Sequence, residues 1–174
     1  PSPQIKRMRY IRLSAVLVLL ACGDGEPTAP PTPPTPVATS ITLSATSLSF
    51  SSLGEQQQLS VTVKDQNGAT MANATVTWSS SNASVATVSP TGFTNSFLVT
   101  SVTGGTAEIT ATSGSATGSV AVTVAQVPAT LSLSDSALTF ASLADTTQLT
   151  ATVTDAKSEV ISSPSVTWTT SDAE

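Results

Sequence analysis

The sequence predicts an all-β protein built from an antiparallel β-sandwich that occurs twice in tandem, and two observations predict it. The first is a repeat with an offset of 90 residues: residues 75–83 (TVTWSSSNA) return as residues 165–173 (SVTWTTSDA). A fixed period indicates an array of one folding unit. The second is the alternation of apolar residues with serine or threonine, which is typical of strands with one buried and one solvated face.

The first copy contains seven or eight short segments of this kind within about 85 residues, the density of a β-sandwich. In chain order the predicted strands are 41–43, 48–50, 59–63, 76–78, 85–88, 98–102, 107–111 and 120–124. Turn residues separate them: Asn67-Gly68 is a tight-turn dipeptide, and Gly104-Gly105 precedes the seventh segment. No helix is predicted in this region.

The largest apolar side chains predict the core. Trp78 is expected between the two sheets with Phe50 nearby, and the offset of 90 residues gives Trp168 and Phe140 the same role in the second copy. The second copy is truncated, because residues 130–174 contain no counterparts of residues 85–124. Four predicted strands cannot close a sandwich, so we expect this copy to leave an apolar face open, and we expect the natural chain to continue.

Composition excludes several classes of function. All eleven acidic residues follow Cys22 together with only two lysines, so this part carries a charge of −9 and repels nucleic acid. The sequence has no histidine, and Cys22 is its only cysteine. An intramolecular disulfide and the usual nucleophile–base pairs are therefore absent, and we expect no catalytic residues, no cofactor, no bound metal and no small-molecule substrate.

The amino-terminal segment, residues 1–22, predicts a signal peptide. Basic residues at 6–12 precede a short apolar run at 13–21, which is too short to span a membrane. The order Leu19-Leu20-Ala21-Cys22 resembles the lipobox of bacterial lipoproteins. That resemblance implies cleavage before Cys22, lipidation of this cysteine, attachment to a membrane, and delivery to the outer membrane or cell surface; the alternative is an ordinary cleaved signal.

Residues 23–38 (GDGEPTAPPTPPTPVA) predict a disordered, proline-rich tether. Its prolines exclude helix and sheet and favour polyproline II. We favour a spacer between the membrane and the first sandwich over a docking site for a proline-binding module.

The runs TVTWSSSNASVATVSPTG, LVTSVTGGTAEITATSGS and VAVTV resemble the bacterial immunoglobulin-like domain, group 2, which recurs in intimin- and invasin-type surface proteins. The resemblance covers residues 39–125, continues after a linker at 126–129, and covers the partial unit at 130–174. It implies an Ig-like sandwich that serves as a stalk or adhesion module, with no shared catalytic residues.

The first copy departs from this family by an insertion between Gly92 and Leu98. Phe93 and Phe97 lie in the inserted segment and are candidate contacts for a surface protein or carbohydrate ligand. The alternative is that Phe97 caps the core and Phe93 is incidental.

Acidic residues near strand ends raise the question of calcium. Asp65 and Asn67 share the spacing of a calcium loop, but the further acids and the bidentate glutamate are missing, so we favour a turn. Asp135, Asp145 and Asp172 are weak candidates for a role at a domain junction.

Two functions fit these features. The first is a non-enzymatic, lipid-anchored cell-envelope protein whose Ig-like repeats act as stalk or adhesion modules. The second is the presentation arm of a larger secreted, glycan-active enzyme with its catalytic domain beyond residue 174.

Labelling with palmitate tests the anchor. We expect cells producing the chain to incorporate labelled palmitate into it, and Cys22→Ser to abolish the label, because no other cysteine is present. Labelling of the Cys22→Ser variant would contradict lipidation at this position.

Overall fold

The computed structural model describes residues 32–172. Of these, residues 35–172 belong to one compact body, which contains both copies of the repeat. The described residues form ten strands and no helix, so the all-β prediction is confirmed. None of these residues belongs to a helix long and apolar enough to cross a membrane. The signal peptide, Cys22 and residues 23–31 of the predicted tether lie outside the described range.

Eight strands form the first unit, which corresponds to the first copy of the repeat. They are β1 Ala38–Leu43, β2 Ser47–Phe50, β3 Gln56–Asp65, β4 Thr77–Ser80, β5 Ala86–Pro90, β6 Ser96–Ser101, β7 Gly105–Ser113 and β8 Ala116–Val124. One sheet has the order β1-β3-β6-β5 and the other the order β2-β8-β7-β4. β1 begins at Ala38, the last residue of the predicted tether.

The first two strands belong to different sheets. β1 pairs antiparallel with β3, whereas β2 pairs with β8 in parallel, Leu48 opposite Val122 and Phe50 opposite Val124. The chain therefore crosses from one sheet to the other between Leu43 and Ser47. This parallel pair is the one exception to the predicted antiparallel arrangement among the strand pairs of the described residues.

The core lies between the two sheets, as the alternation predicts. β3 contributes Leu59, Val61 and Val63, and β8 contributes Val120 and Val122, all buried, while the intervening serines and threonines of these segments face outward. Burial of these side chains supplies the main stabilisation of a unit that has no disulfide.

Trp78 connects two halves of this core. It is half-buried on β4 and packs against both clusters of buried residues, one containing Phe50 and Ile109, the other Val61 and Val63. Its ring lies 4.5 Å from that of Phe97, at an interplanar angle of 42°. The indole Nε1 is buried without a hydrogen-bond partner among the described residues.

The second unit begins in the same way as the first. β9 (Thr130–Leu133) pairs antiparallel with β10 (Ala151–Thr154), Leu131 opposite Val153, just as Ile41 lies opposite Val63. Ser134 and Thr150 repeat the hydrogen bonds of Ser44 and Ser60, 90 residues earlier. The pair β9–β10 is therefore the counterpart of β1–β3.

Four strands were expected in the second unit, but its described residues form only two, β9 and β10. In the first unit β2 pairs with β8 and β4 pairs with β7, and this sequence holds no counterparts of β7 and β8 for the second unit. Without these partners the segments around Phe140 and Trp168 do not form strands. Phe140 is 50% exposed and Trp168 53% exposed, so their predicted core positions are corrected as well.

Replacing Trp78 tests its place in the core. We expect Trp78→Ala to lower the free energy of unfolding of the first unit by about 3–5 kcal/mol, because the ring that packs against both clusters of buried residues is replaced by a cavity. Trp168→Ala is the matched control and should stay within about 0.5 kcal/mol, as exposed substitutions do. Urea unfolding of the chain followed by circular dichroism measures both, and equal losses would contradict the assignment.

Candidate functional site at the junction of the two units

The site that the structure assembles is the junction between the first and second units. Three segments meet there: the loop from Ser51 to Glu55 between β2 and β3, the linker after β8, and the hairpin that follows β10. Asp155, the first residue of this hairpin, lies at the centre with 2% of its surface exposed.

The hairpin is built in the same way in both units. Oδ1 of Asp155 accepts hydrogen bonds from the backbone N–H groups of Lys157 at 2.9 Å and Glu159 at 3.1 Å. In the first unit Oδ1 of Asp65 accepts from Asn67 and Ala69, both at 2.9 Å. An aspartate that binds the amides after it is a common way to close such a turn.

The left-handed position of this turn also repeats. Gly68 has a φ of 78° in the first unit, and Ser158 has a φ of 66° at the same position of the second. Serine adopts this conformation at a cost that glycine avoids. The second unit therefore keeps the same turn conformation although Ser158 stands where the first unit has glycine.

The two aspartates differ in their second carboxylate oxygen. Oδ2 of Asp155 accepts from the backbone N–H of Leu53 at 2.9 Å and from Nε2 of Gln126 at 3.0 Å. Leu53 belongs to the first unit and Gln126 to the linker, so a single carboxylate binds both units and the chain between them. Among residues 32–172 the carboxylate of Asp65 makes no such second set of hydrogen bonds.

Hydrogen bonding determines the ionisation of Asp155. Burial by itself raises the pKa of this carboxyl, but the hydrogen bonds from Gln126, Leu53, Lys157 and Glu159 outweigh burial and lower the pKa from 3.8 to about 2. Each of these four N–H donors favours the charged form. Asp155 is therefore an ionised, fully hydrogen-bonded carboxylate at neutral pH.

The linker is hydrogen-bonded to both units. The Ala125 N–H donates to the Phe50 carbonyl at 3.0 Å and the Val127 N–H to the Ser51 carbonyl at 2.9 Å, which holds the linker against the first unit. The Ala129 N–H donates to the Thr154 carbonyl of the second unit at 2.8 Å. The predicted linker at 126–129 is thus a structured connection.

At the opposite end of the first unit, Gln66 holds the end of the tether. Its Oε1 accepts from the Val37 N–H at 2.7 Å, and its Nε2 donates to the Thr35 carbonyl at 3.2 Å. Gln66 follows Asp65 in the hairpin, so the turn after β3 contacts the chain that enters the unit.

The inserted segment does not present two phenylalanines to solvent. Phe97 lies on β6 opposite Leu59 and Pro90 and packs inward against Trp78, whereas Phe93 is 75% exposed. The predicted pair of contact residues is therefore corrected: Phe93 alone is exposed, because the register of β6 directs Phe97 into the sandwich.

The described residues contain little else that resembles a reactive site. No group of three or more histidine, cysteine, aspartate or glutamate side chains lies close enough to hold a metal ion in this part of the chain. A depression of about 390 Å³ on the outer face of β7 and β8 is lined by Glu108, Thr110, Thr117, Gly118 and Ser119. One carboxylate among hydroxyl groups offers hydrogen bonds but no nucleophile–base pair.

Asp155 was not predicted from the sequence. The aspartates predicted as weak candidates for a role at the junction are exposed: Asp135, Asp145 and Asp172. Asp65 and Asp155 are related by the repeat, but the repeat alone shows only that both begin a turn. The role of Asp155 requires the folded positions of Leu53 and Gln126, which lie 102 and 29 residues away in the chain.

Residues 37–124 match the family model described as bacterial Ig-like domain (group 2). Comparison with curated proteins gives no significant match. Among solved structures, the chain is similar to domains 4 and 5 of the S-layer protein SbsC, with 30% identity, a TM-score of 0.46, and coverage of 52% of this chain and 53% of that one. It is also similar to domains 1–6 of that surface layer protein, with 25% identity, a TM-score of 0.49, and coverage of 72% and 17%. The chain thus spans about half or less of these two structures.

The pKa of Asp155 is directly measurable. We expect the side-chain carboxyl carbon of Asp155 to titrate near pH 2, and the Gln126→Ala variant to titrate at higher pH because one donor to the ionised form is lost. Since the folded pKa lies below the unfolded one, the stabilisation is complete above about pH 4 and disappears as the pH falls through 2. Carbon-detected NMR measures both, and an unchanged midpoint in Gln126→Ala would contradict the role of this hydrogen bond.

Proposed function

The chain belongs to the bacterial Ig-like domain (group 2) family, and we propose that it is a non-enzymatic, lipid-anchored cell-envelope protein whose Ig-like repeats act as stalk or adhesion modules. The family assignment makes the first unit a module of the surface or adhesion type. The observation that carries the proposal is the succession of this module and a second one after 90 residues, held together by Asp155.

The lipid anchor is supported by the order of features before the tether. A basic segment, an apolar run and Leu19-Leu20-Ala21-Cys22 follow one another as in bacterial lipoproteins. The proline-rich segment then separates Cys22 from the first strand by fifteen residues, from Gly23 to Val37. A polyproline II conformation rises by about 3.1 Å per residue, so this segment would hold the first unit up to ~50 Å from the membrane.

A stalk role is favoured by the distribution of side chains in the first unit. Most large apolar residues of its strands face the core, with Leu98 as an exception, and serine and threonine dominate the outer faces. Such a surface is hydrated and resists association, and the charge of −9 after Cys22 adds repulsion between neighbouring copies. Of the two candidate ligand contacts only Phe93 faces solvent, and single exposed apolar residues are ordinary.

Labelling of intact cells tests the proposed location. Lys64 and Lys157 are exposed and are the only lysines after Cys22. We expect a membrane-impermeant amine reagent to modify both lysines in intact cells that produce the protein. The Cys22→Ser variant should lose this cell-associated label, because the protein would no longer be retained by lipid.

A matched control separates location from reactivity. Lysed cells should give equal labelling of Lys64 and Lys157 in the natural and Cys22→Ser proteins, since the fold is the same. Protection of both lysines in intact cells, with full labelling after lysis, would place the protein inside the envelope and contradict surface display.

A further inference from the structure

The hairpin after β3 and its counterpart after β10 both contact chain segments that precede their own unit. In the first unit this is the turn after β3, where Gln66 holds Thr35 and Val37 of the tether. In the second unit it is the turn after β10, where Asp155 holds Leu53 and Gln126. We propose that this hairpin is an orientation-determining connector, and that Asp155 fixes the two Ig-like units at one angle.

The two oxygens of the Asp155 carboxylate bind different groups. Oδ1 of Asp155 closes its own hairpin, and Oδ2 is left to bind outside it. Asp65 closes the same hairpin through Oδ1 with the same two amide positions. The hairpin therefore does not need the second oxygen, and the use of Oδ2 at the junction is a separate function of Asp155.

The two donors to Oδ2 of Asp155 restrict the angle between the units. The Leu53 N–H at 2.9 Å and Gln126 Nε2 at 3.0 Å converge on one oxygen that is almost completely buried. A buried charge that loses its partners is strongly destabilising. Rotation of one unit against the other would separate Oδ2 from the Leu53 N–H, so only a narrow range of angles keeps the carboxylate hydrogen-bonded.

The linker between the two units is hydrogen-bonded to both of them. Bonds from Val127 to Ser51 and from Ala129 to Thr154 attach it to both units on either side of Pro128. Proline restricts its own φ and the conformation of the residue before it. The linker therefore adds stiffness at the point where Asp155 sets the angle. This inference concerns the junction alone and does not depend on the lipid anchor.

Asparagine distinguishes the two functions of the carboxylate. In Asp155→Asn the amide oxygen can accept from Lys157 and Glu159, but the new NH₂ group then faces the two donors Leu53 N–H and Gln126 Nε2. If the side-chain amide of this variant rotates by 180°, its NH₂ group faces the N–H groups of Lys157 and Glu159 instead, so donors again meet donors. In Asp65→Asn the oxygen replaces Oδ1 and the NH₂ group meets no such pair of donors within residues 32–172, so this variant is the matched control.

Distance measurements between spin labels test the proposal on the full chain. Cys22→Ser removes the only natural cysteine, and Ser119→Cys in β8 and Thr152→Cys in β10 place labels at exposed positions of the two units. We expect a narrow distance distribution, a broadening of about twofold or more in Asp155→Asn, and no change in Asp65→Asn. A broad distribution without either substitution, or a narrow one in Asp155→Asn, would overturn the proposal.

A third variant covers the case in which Asp155→Asn unfolds the second unit. Gln126→Glu lies outside the hairpin and replaces the donor to Oδ2 with a second carboxylate of almost the same shape. We expect it to broaden the distribution as Asp155→Asn does. An unchanged distribution in Gln126→Glu, or equal broadening in Asp65→Asn, would show that local hairpin stability and not the junction determines the angle.

Discussion

The first unit depends on pairing between its early and its late strands. β2 has β8 as its partner and β4 has β7, so the sheet that carries Phe50 and Trp78 exists only when residues 105–124 are in place. In the second unit the local pair β9–β10 forms, while Phe140 and Trp168 are exposed. Alternation alone therefore does not determine where a strand forms, because the N–H and C=O groups of a buried strand need partners on a neighbouring strand.

Because strands depend on their partners, the sequence predicted the positions of the strands better than their pairing. Alternation predicted the strands of the first unit, because the buried face must be apolar whatever the topology. It predicted β2 and β8 without predicting that they run parallel, since a strand segment carries no mark of its partner. It also assigned Trp168 by analogy with Trp78, which fails because burial of an indole depends on the opposite sheet. For Phe97 the sequence left two alternatives, a ligand contact and a cap on the core, and its position two residues before Val99 on an alternating strand favoured the core.

The junction could not be predicted for a different reason. A buried carboxylate is identified by its donors, and two of the four donors to Asp155 are amides of its own turn, while the other two come from distant segments. The donor from the first unit is the backbone N–H of Leu53, which every residue except proline provides. The loop thus carries no side-chain signal for this contact. Gln126 is the one recognisable partner, and glutamine in a short linker has many ordinary explanations.

Reliance on a backbone donor also explains why a carboxylate suits this junction. A contact through apolar side chains would need matching shapes on both units, and each added copy of the unit would need the same match. A hydrogen-bonded carboxylate needs only the conformation of the loop from Ser51 to Glu55 on the first unit and the side chain of Gln126 in the linker. The second unit forms the corresponding loop in a similar conformation, with Ala144 at φ 69° where Gly54 has φ 65°. Because the first unit contributes a backbone N–H and not a side chain, this contact requires the side chains of Asp155 and Gln126 alone, and the buried charge stays stabilised while every donor is in place.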